Sequence, residues 1–389
     1  MKKPLTVEIH GTGTHNRGAE LMAIAIAERL RASFPGVRLV VPPGFGDFEA
    51  RARYGFWTTW EFSKRWQSRL SAASIRRYSP GIEEAAGIVD PATIDVVLDA
   101  SGFSFSDKWG PKGARHLHRK MTRTARAGKP LLLLPQAFGP FTDPETAKAT
   151  RQLCGRASLV CARDSRSREE LLALGTLPTL RVYPDFTIGI RPLHPASLRI
   201  PKSFSAIVPN QRMVDKGEAG DTYLAFLLRS ARSLERRGLN PVFLLHDAND
   251  DRKVVAALKE RGLTLPVIEH EDARVLKAIL AKASLVIGSR FHALVSTLSQ
   301  GLPAIAVGWS HKYPQLYQDF GCPDLLIDEL DNEVLLEATI DKLCSPEERG
   351  GYQERLTQAA NRIKQRNDAM WGEVEKLIRS SCRAGAPAA

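Results

Sequence analysis

Short apolar, β-branched runs alternate with amphipathic helical stretches along most of this chain, and this alternation is what most constrains its fold. The first run covers residues 5–10, and residues 20–33 follow it with apolar side chains at helical spacing. Alternating strands and helices predict parallel βαβ units, because a crossover helix is the usual connection between parallel neighbours. The sequence therefore predicts an α/β fold. Further strand-like runs of the first half cover residues 37–41, 94–100, 131–138, 158–162 and 180–185.

A proline-rich break divides this pattern into two halves. Residues 188–203 contain three prolines and no apolar periodicity, and the alternation resumes at residue 204. At 389 residues, the chain is too long for one ordinary core and suits two domains. We therefore predict two doubly wound, Rossmann-like domains that face each other across a cleft. The predicted parts are an N-terminal α/β domain (1–190), a linker (191–203), a C-terminal α/β domain (204–345), a helical segment that either stays on the second domain or crosses back to the first (346–380), and a frayed tail (381–389).

Residues 43–93 fit the alternation less well. Three of the six tryptophans, Trp57, Trp60 and Trp66, lie here among several arginines and lysines. We predict a helical insertion in the N-terminal domain whose tryptophans pack internally. A flap that binds a substrate or touches a membrane is the alternative.

Composition excludes several classes of protein. With 43% hydrophobic and 25% charged residues, the chain has the composition of a soluble globular protein. No apolar run approaches the roughly 18 residues of a membrane-spanning helix, and the N-terminus lacks the apolar stretch of a secretory signal. The five cysteines form no CxxC pair, which is typical of reduced thiols. We therefore expect a cytoplasmic protein, with peripheral binding to the inner membrane surface as a further alternative.

The net charge of +12 is distributed unevenly along the chain. Residues 1–190 hold 28 Lys and Arg against 18 Asp and Glu, whereas residues 191–389 hold 27 against 25. The densest basic stretch, Lys108 to Lys129, contains eight Lys or Arg and no acidic residue. A solvated helix face explains one such run, but the asymmetry between the halves favours an anionic partner for the first half. We expect no nucleic-acid partner, because the sequence contains no recognised nucleic-acid-binding module.

A glycine-containing turn follows the first predicted strand. In the sequence HGTGTHNRGAEL (residues 10–21), a helix is predicted to begin near Gly18. Backbone N–H groups at such a helix start attract anions, and glycine lets a ligand approach closely. We predict that Asn16, Gly18 and Glu20 contribute to a ligand site. A turn required only by βα geometry, with Asn16 as the helix cap, is the alternative.

Polar side chains also follow the later strands of the first half. The candidates at these strand ends are Asp107, Gln136, Arg163 and Asp185. Because ligands of open α/β sheets bind at the carboxyl ends of strands, we expect these residues beside the glycine turn. Asp107 is a candidate general base or, alternatively, a cap of the next turn. For the neighbouring Arg163 and Asp164, a purely structural ion pair is the alternative.

The strongest signal is the sequence GSRFHALVSTLSQGLPAIAVGWSHKY, residues 288–313. A strand ends at Ser289, and Arg290 and His292 occupy the turn and the first helical residues. Arg290 offers a planar fork for a carboxylate or phosphate, and His292 can exchange a proton near neutral pH. Together with the later Lys312 they predict an anion-binding site, with a capping or core histidine as the alternative for His292. We expect Arg290 and His292 to lie outside the packed core, so that alanine there changes stability by no more than about 1 kcal/mol.

Taken together, the motifs resemble those of the polysaccharide pyruvyl transferase family. N-x-G-A-E-L begins at Asn16, D-x-x-G-x-x-x-x-D at Asp99, Q-x-x-G-P-F at Gln136, R-D-x-x-S at Arg163, P-D at Pro184 and S-R-x-H at Ser289. The motifs occur in order between residue 5 and about residue 325, and S-R-x-H with its downstream lysine is the most specific of them. The family is similar in architecture to two-domain glycosyltransferases of the GT-B type, so the resemblance implies that fold.

The resemblance also implies an activity. Members of the polysaccharide pyruvyl transferase family transfer the pyruvyl group of phosphoenolpyruvate onto a sugar of a cell-surface polysaccharide or its lipid-linked precursor, commonly as a ketal. No cofactor is then expected, because phosphoenolpyruvate is itself the donor substrate, and no spacing typical of metal ligands is visible. The basic first half fits a saccharide acceptor that is linked to a lipid diphosphate at the inner membrane surface. A GT-B glycosyltransferase with a nucleotide-sugar donor is the alternative.

The resemblance further implies roles for individual residues. Arg290, Lys312 and Arg163 would bind the two anionic groups of phosphoenolpyruvate. His292 would be the general acid, and Asp107 or Asp185 would be the base on the acceptor hydroxyl. The predicted substrate-binding set is completed by Ser289, Asn16, Gly18, Glu20 and Gln136.

Overall fold

The computed structural model describes residues 3–59, 81–124, 126–215, 220–308 and 310–384. The chain forms two compact α/β domains, as the alternation of strands and helices predicts. The N-terminal domain consists of Met1–Thr14, Met22–Phe186 and Asn367–Ala389, and the C-terminal domain consists of His15–Leu21 and Thr187–Arg366. In the part of the chain that the structure describes, no helix is both long and apolar enough to cross a membrane.

The N-terminal domain contains an eight-stranded, fully parallel sheet. Its strands are β1 (Thr6–His10), β2 (Arg38–Val41), β3 (Trp57–Thr59), β4 (Ile88–Val89), β5 (Val96–Asp99), β6 (Leu131–Gln136), β7 (Leu159–Ala162) and β8 (Leu180–Val182). They lie in the order β4-β3-β2-β1-β5-β6-β7-β8. The chain therefore runs outward from β1 to β4 and resumes on the other side at β5. In doubly wound sheets, such a switch point is where ligands bind, at the carboxyl ends of the strands.

Both faces of this sheet are covered, and helices connect its strands. Every residue of β1, β5, β6 and β7 is buried, as expected for parallel strands with both faces covered. Asp143 and Asp164 accept hydrogen bonds from the first turns of the two helices that follow them, which fixes where those helices begin. The helices of this part are α1 (Arg17–Ser33), α2 (Phe48–Arg53), α3 (Ile82–Ala85), α4 (Lys112–Arg123), α5 (Pro144–Arg156) and α6 (Ser165–Ala173), with short 3₁₀ turns at Pro43–Phe45, Pro91–Thr93 and Phe186–Gly189.

The structure corrects part of the predicted helical insertion over residues 43–93, because two strands lie there as well as the helices Phe48–Arg53 and Ile82–Ala85. The described residues of this region extend the sheet by two parallel strands, since Val41 pairs with Thr58 and Thr59 pairs with Val89. The physical reason is local, because aromatic and β-branched residues such as Trp57 favour strands. The Trp57 ring also lies 4.5 Å from the Arg38 guanidinium. Trp60 and Trp66, on which the prediction also relied, lie outside the described residues.

The C-terminal domain contains a five-stranded parallel sheet in the order β11-β10-β9-β12-β13. Its switch point lies between β9 and β12, so the loop that follows β12 is where a ligand site is expected. The strands are β9 (Ser205–Val208), β10 (Pro241–Leu244), β11 (Val267–Ile268), β12 (Val286–Gly288) and β13 (Ala304–Ala306). The helices are α7 (Gln211–Asp215), α8 (Gly220–Arg236), α9 (Ala248–Glu260), α10 (Ala273–Leu280), α11 (Phe291–Leu298), α12 (Lys312–Asp319), α13 (Glu333–Cys344) and α14 (Pro346–Ala384), with a 3₁₀ turn at Pro323–Leu325.

Two predicted boundaries differ from the structure. The predicted linker, residues 191–203, belongs to the C-terminal domain, because Leu198 and Ile200 pack against its hydrophobic core. The long helix α14 extends the predicted 346–380 segment to Ala384, and its residues from Asn367 onward group with the N-terminal domain. There, Glu375 accepts a hydrogen bond of 2.7 Å from the Arg29 guanidinium.

Candidate functional site

Arg290 lies in the turn between strand β12 and helix α11, at the position directly before the helix. Its side chain is only 8% exposed, and Nε lies 3.1 and 3.2 Å from the two carboxylate oxygens of Asp251. Nη2 also donates to Asp251, and it lies 3.6 Å from Oδ2 of Asp247. Burial opposes the charge, but the two carboxylates raise the pKa of Arg290 above its usual value. The guanidinium is therefore a permanent cation that is held inside the domain.

The expectation that Arg290 lies outside the packed core is wrong, and Asp251 is the reason. Asp251 is fully buried at the start of helix α9, where its Oδ2 also accepts hydrogen bonds from the backbone N–H groups of His246 and Asp247. The carboxylate thus joins the loop after β10 to the turn after β12. Sequence analysis did not single out Asp251, although it follows a predicted strand in the same way as the residues that were singled out.

His292 lies in the first turn of helix α11 and is half-buried. It packs against Gly18, where a Cβ atom would lie only 2.2 Å from the imidazole Nδ1. Real Cβ atoms do not approach so closely, so only glycine fits here without a shift of the ring. The side chain of Asn16 accepts hydrogen bonds of 2.8 and 3.3 Å from the N–H groups of Gly18 and Ala19. Asn16 is therefore the cap of helix α1, and Gly18 is the residue that contacts the predicted catalytic histidine.

Two further residues that sequence analysis missed surround this contact. His246 is buried, and its carbonyl oxygen accepts a hydrogen bond of 3.1 Å from the backbone N–H of Arg17. Burial lowers the pKa of His246 well below its usual value, and the charges of Arg290, His292 and Arg17 lower it further. Arg17 also pairs with the buried Glu20 at 2.6 Å. We refer to Arg17, His246, Asp251, Arg290 and His292 as the Arg290 cluster, which lies entirely within the C-terminal domain.

Ser289 fixes the backbone just ahead of Arg290. It is fully buried, and its hydroxyl lies 2.6 Å from the Tyr223 hydroxyl. Its carbonyl oxygen accepts hydrogen bonds from Asn210 Nδ2 at 2.6 Å and from the Tyr313 hydroxyl at 2.8 Å. Ser289 therefore stabilises the turn through these hydrogen bonds. The ligand contact that was predicted for Ser289 stays a prediction.

Lys312 begins helix α12 and is half-buried. Its Nζ lies 5.3 Å from the ring centre of Phe291 and 5.4 Å from that of Tyr313. Such cation–π contacts stabilise a partly desolvated ammonium group. Phe291 directly precedes His292, so these aromatic rings bring Lys312 to the turn that carries the Arg290 cluster.

In the N-terminal domain, two of the predicted residues bind each other. Arg163 Nη1 lies 3.1 Å from Asp185 Oδ2, and both side chains are buried. Asp164 instead caps helix α6 by accepting a hydrogen bond of 2.6 Å from the N–H of Ser167. The ion pair at this strand end therefore joins Arg163, which was predicted to bind the donor, with Asp185, one of the two predicted bases. Asp164 is a helix cap.

Asp107 and Gln136 also have structural partners. Asp107 Oδ2 accepts hydrogen bonds from the N–H and the hydroxyl of Thr142, at 2.6 and 2.7 Å, and so joins the loops after β5 and β6. Gln136 is fully buried and donates to Asp99 at 2.9 Å, while the Ser101 hydroxyl donates to the other oxygen of Asp99 at 2.8 Å. Asp99 is thus a further carboxylate at the carboxyl end of β5 that was not predicted. Among the described residues, no group of three potential ligands is placed to hold a metal ion.

The two parallel sheets define a protein with a two-domain, GT-B-type fold. HepE of Anabaena, solved in complex with UDP and glucose, has a TM-score of 0.60 and 13% identity, covering 96% of this chain and 99% of that one. A glycosyltransferase of Rickettsia africae has a TM-score of 0.56 and 13% identity, covering 98% of this chain and 99% of that one. These likenesses confirm the predicted fold class of two Rossmann-like domains.

The family follows from the sequence match. The chain belongs to the polysaccharide pyruvyl transferase family, whose model matches residues 16–311. It is also 23% identical over 259 residues to the amylovoran biosynthesis protein AmsJ of Erwinia amylovora, a match of 60% of this chain and 61% of that relative. The chain therefore spans less than two thirds of that relative's length. The predicted family membership is confirmed.

Proposed function

We propose that the protein transfers the pyruvyl group of phosphoenolpyruvate onto a saccharide acceptor as a ketal. The observation that carries the proposal is the buried, permanently charged Arg290 beside His292 at the start of helix α11. Phosphoenolpyruvate has a carboxylate and a phosphate, so a site for it needs several cationic donors close together. Arg290 and Lys312 are cationic donors, and the N–H groups at the start of α11 add the partial positive charge of a helix N-terminus.

The reaction consumes one phosphoenolpyruvate and two acceptor hydroxyls. A proton is added to the methylene carbon, which becomes the methyl group, and the first hydroxyl oxygen bonds to the neighbouring carbon. The C–O bond to phosphate then breaks, and the second hydroxyl oxygen takes the place of the phosphate. Of the two hydroxyl protons, one balances the proton added to carbon and the other leaves with inorganic phosphate. The products are the cyclic ketal and phosphate.

His292 is the proposed general acid, and the state of His246 supports this choice. Burial and the neighbouring charges lower the pKa of His246 well below its usual value, so His246 is neutral near pH 7 and has no acidic proton of the required strength. His292 is half-buried and is oriented by its contact with Gly18. For the base on the acceptor hydroxyl, Asp107 and Asp185 stay predictions, each with the hydrogen-bond partners described above.

The acceptor is proposed to be a saccharide on the way to a cell-surface polysaccharide, linked to a lipid diphosphate. The similarity to AmsJ, an amylovoran biosynthesis protein, supports a polysaccharide product. The excess of 28 Lys and Arg over 18 Asp and Glu in residues 1–190 supports an anionic acceptor. The likenesses to glycosyltransferase structures are at 13% identity and concern the fold, so they lend no weight to a nucleotide-sugar donor.

The test is to offer both classes of donor to the same enzyme. Purified protein is incubated with a lipid-linked oligosaccharide fraction and either phosphoenolpyruvate or a panel of nucleotide sugars. The mass of the acceptor is then measured by mass spectrometry. The proposal predicts a gain of the pyruvyl mass and release of phosphate only with phosphoenolpyruvate. Transfer of a sugar from any nucleotide sugar would overturn it. Loss of pyruvyl transfer in His292→Asn, with retention in Gly155→Ala, would assign the reaction to this site.

A further inference from the structure

The basic stretch between Lys108 and Lys129 separates into two groups that face different surroundings. One group faces inward, where Lys120 Nζ lies 2.9 Å and Arg126 Nε 2.8 Å from the carboxylate of the fully buried Glu8. The other group lies on the opposite face of helix α4. The buried Glu8 carboxylate therefore explains the inward group, Lys120 and Arg126.

The outward group lines a shallow pocket of about 500 Å³ between helices α4 and α5. The lining consists of three arginines, one histidine and two neutral polar residues, and it includes no carboxylate. The lining residues are Arg115, His118, Arg119, Thr122, Arg123 and Gln152. Glu145 at the pocket's edge pairs with Arg115. Arg119 has no carboxylate within ion-pair distance among the described residues.

The spacing of these arginines does not fit a plain solvated face. Arg115, Arg119 and Arg123 are four residues apart, so their side chains follow one another along the same stripe of α4. Like charges at this spacing destabilise a helix, and exposed helices usually place a carboxylate between them. Arg119 and Arg123, which line the same pocket as His118 and Gln152, instead make a set of donors that suits phosphate oxygens.

We propose that this pocket of the N-terminal domain is a second anion site, which binds a phosphate or diphosphate group. The guanidinium groups of Arg119 and Arg123 provide the charge, and the Gln152 amide provides a neutral donor. The site contains no residue of the Arg290 cluster, and it does not depend on which donor the enzyme uses. A free diphosphate and the headgroup of a lipid present the same chemistry to it.

The experiment is arginine modification by phenylglyoxal, read for each residue by mass spectrometry of the full-length protein without phosphoenolpyruvate. Inorganic diphosphate is expected to slow the modification of Arg119 and Arg123 severalfold. Arg232, an exposed residue of helix α8, is the internal control whose rate should not change. Because each residue is read separately, anion binding at the Arg290 cluster cannot imitate the result.

A variant and a second probe complete the test. In Arg119→Gln, diphosphate should no longer protect Arg123, whereas Arg232→Gln should leave that protection intact. Vesicles of phosphatidylcholine with phosphatidylglycerol are then compared with phosphatidylcholine alone. Protection by the anionic vesicles as well as by diphosphate supports a headgroup in the site, and protection by diphosphate alone supports a soluble ligand. Equal modification of Arg119 with and without diphosphate overturns the proposal and leaves the proposed pyruvyl transfer untouched.

Discussion

The carboxylate of Asp251 holds the guanidinium of Arg290 inside the C-terminal domain, with Nε at 3.1 and 3.2 Å from its two oxygens. The pair fixes the loop after β10 against the turn after β12, and the turn carries His292 into the next helix. Arg290 therefore stabilises the fold and supplies a permanent positive charge beside the proposed catalytic histidine. Because Arg290 has both roles, substitutions at Arg290 should lower stability as well as activity.

Arg290→Ala is predicted to lower the free energy of unfolding by about 3–5 kcal/mol, because it leaves the buried Asp251 carboxylate without its cationic partner. Urea denaturation followed by circular dichroism measures this. As a control, Arg232→Ala on exposed helix α8 should change stability by no more than about 0.5 kcal/mol. Replacing both partners with apolar residues, Arg290→Met with Asp251→Leu, should recover only part of the loss, because the N–H groups of His246 and Asp247 lose their acceptor. A single-variant loss below about 1 kcal/mol would contradict the structural role of the pair.

Gly18→Ala is predicted to reduce pyruvyl transfer strongly, because its Cβ would lie 2.2 Å from His292 Nδ1 and displace the ring. The expected loss in kcat is about 100-fold, the lower end of what a positioned general acid contributes. The matched control is Gly155→Ala, also on a helix, where a Cβ meets nothing within 4 Å. That variant should keep full activity. Equal activity of the two variants would show that the position of His292 does not matter for the reaction.

Stability is predicted to depend on pH through His246. Burial lowers the pKa of His246 well below its ordinary value of 6.5. At pH values between the lowered pKa and 6.5, the unfolded chain therefore binds a proton that the folded chain does not. The free energy of unfolding should therefore fall by up to about 1.4 kcal/mol for each pH unit below that value. In His246→Gln this part of the slope should be absent, as urea titrations across the window would measure. Glu8 has a lowered pKa and an ordinary value of 4.5, so its contribution is lost only at lower pH. A His246→Gln profile parallel to that of the unmodified protein would contradict the assignment.

Neighbouring residues of helix α4 are predicted to respond very differently to the same substitution. Lys120→Gln removes a cation that lies 2.9 Å from buried Glu8, and we expect a loss of about 3 kcal/mol in the free energy of unfolding. Arg119→Gln, on the exposed face, should change it by no more than about 0.5 kcal/mol. Thermal and urea unfolding of the two variants provide the comparison. Similar losses would mean that the two groups of basic residues do not differ as described.

Periodicity and motif order predict the fold well, because the features that set it are local. The runs that became β1, β5 and β6 are buried along their whole length and consist mostly of apolar or β-branched residues, and Arg290 and His292 mark the turn at 288–292. The two strands within residues 43–93 were not predicted because β3 and the edge strand β4 are too brief to show a period. Three residues of β3 and two of β4 carry little pattern.

The candidate site was predicted less completely, because its ion pairs join residues that are far apart in the sequence. Asp251 and Arg290 are 39 positions apart, and Glu8 and Arg126 are 118 apart. Which carboxylate neutralises which guanidinium depends on strand order, and strand order is not visible in spacing. For the same reason, the alternative considered for Arg163 was an ion pair with the adjacent Asp164, whereas Arg163 pairs with Asp185 at the end of the next strand.

Calorimetric titration of phosphoenolpyruvate into the purified protein tests the central claim most directly. The account predicts binding that is weakened at least about tenfold in Lys312→Gln, because one charged hydrogen bond is worth about that factor, and that is unchanged in Gly155→Ala. No heat of binding in the unmodified protein, or equal affinity in Lys312→Gln and Gly155→Ala, would contradict the claim that this turn of the C-terminal domain holds the donor.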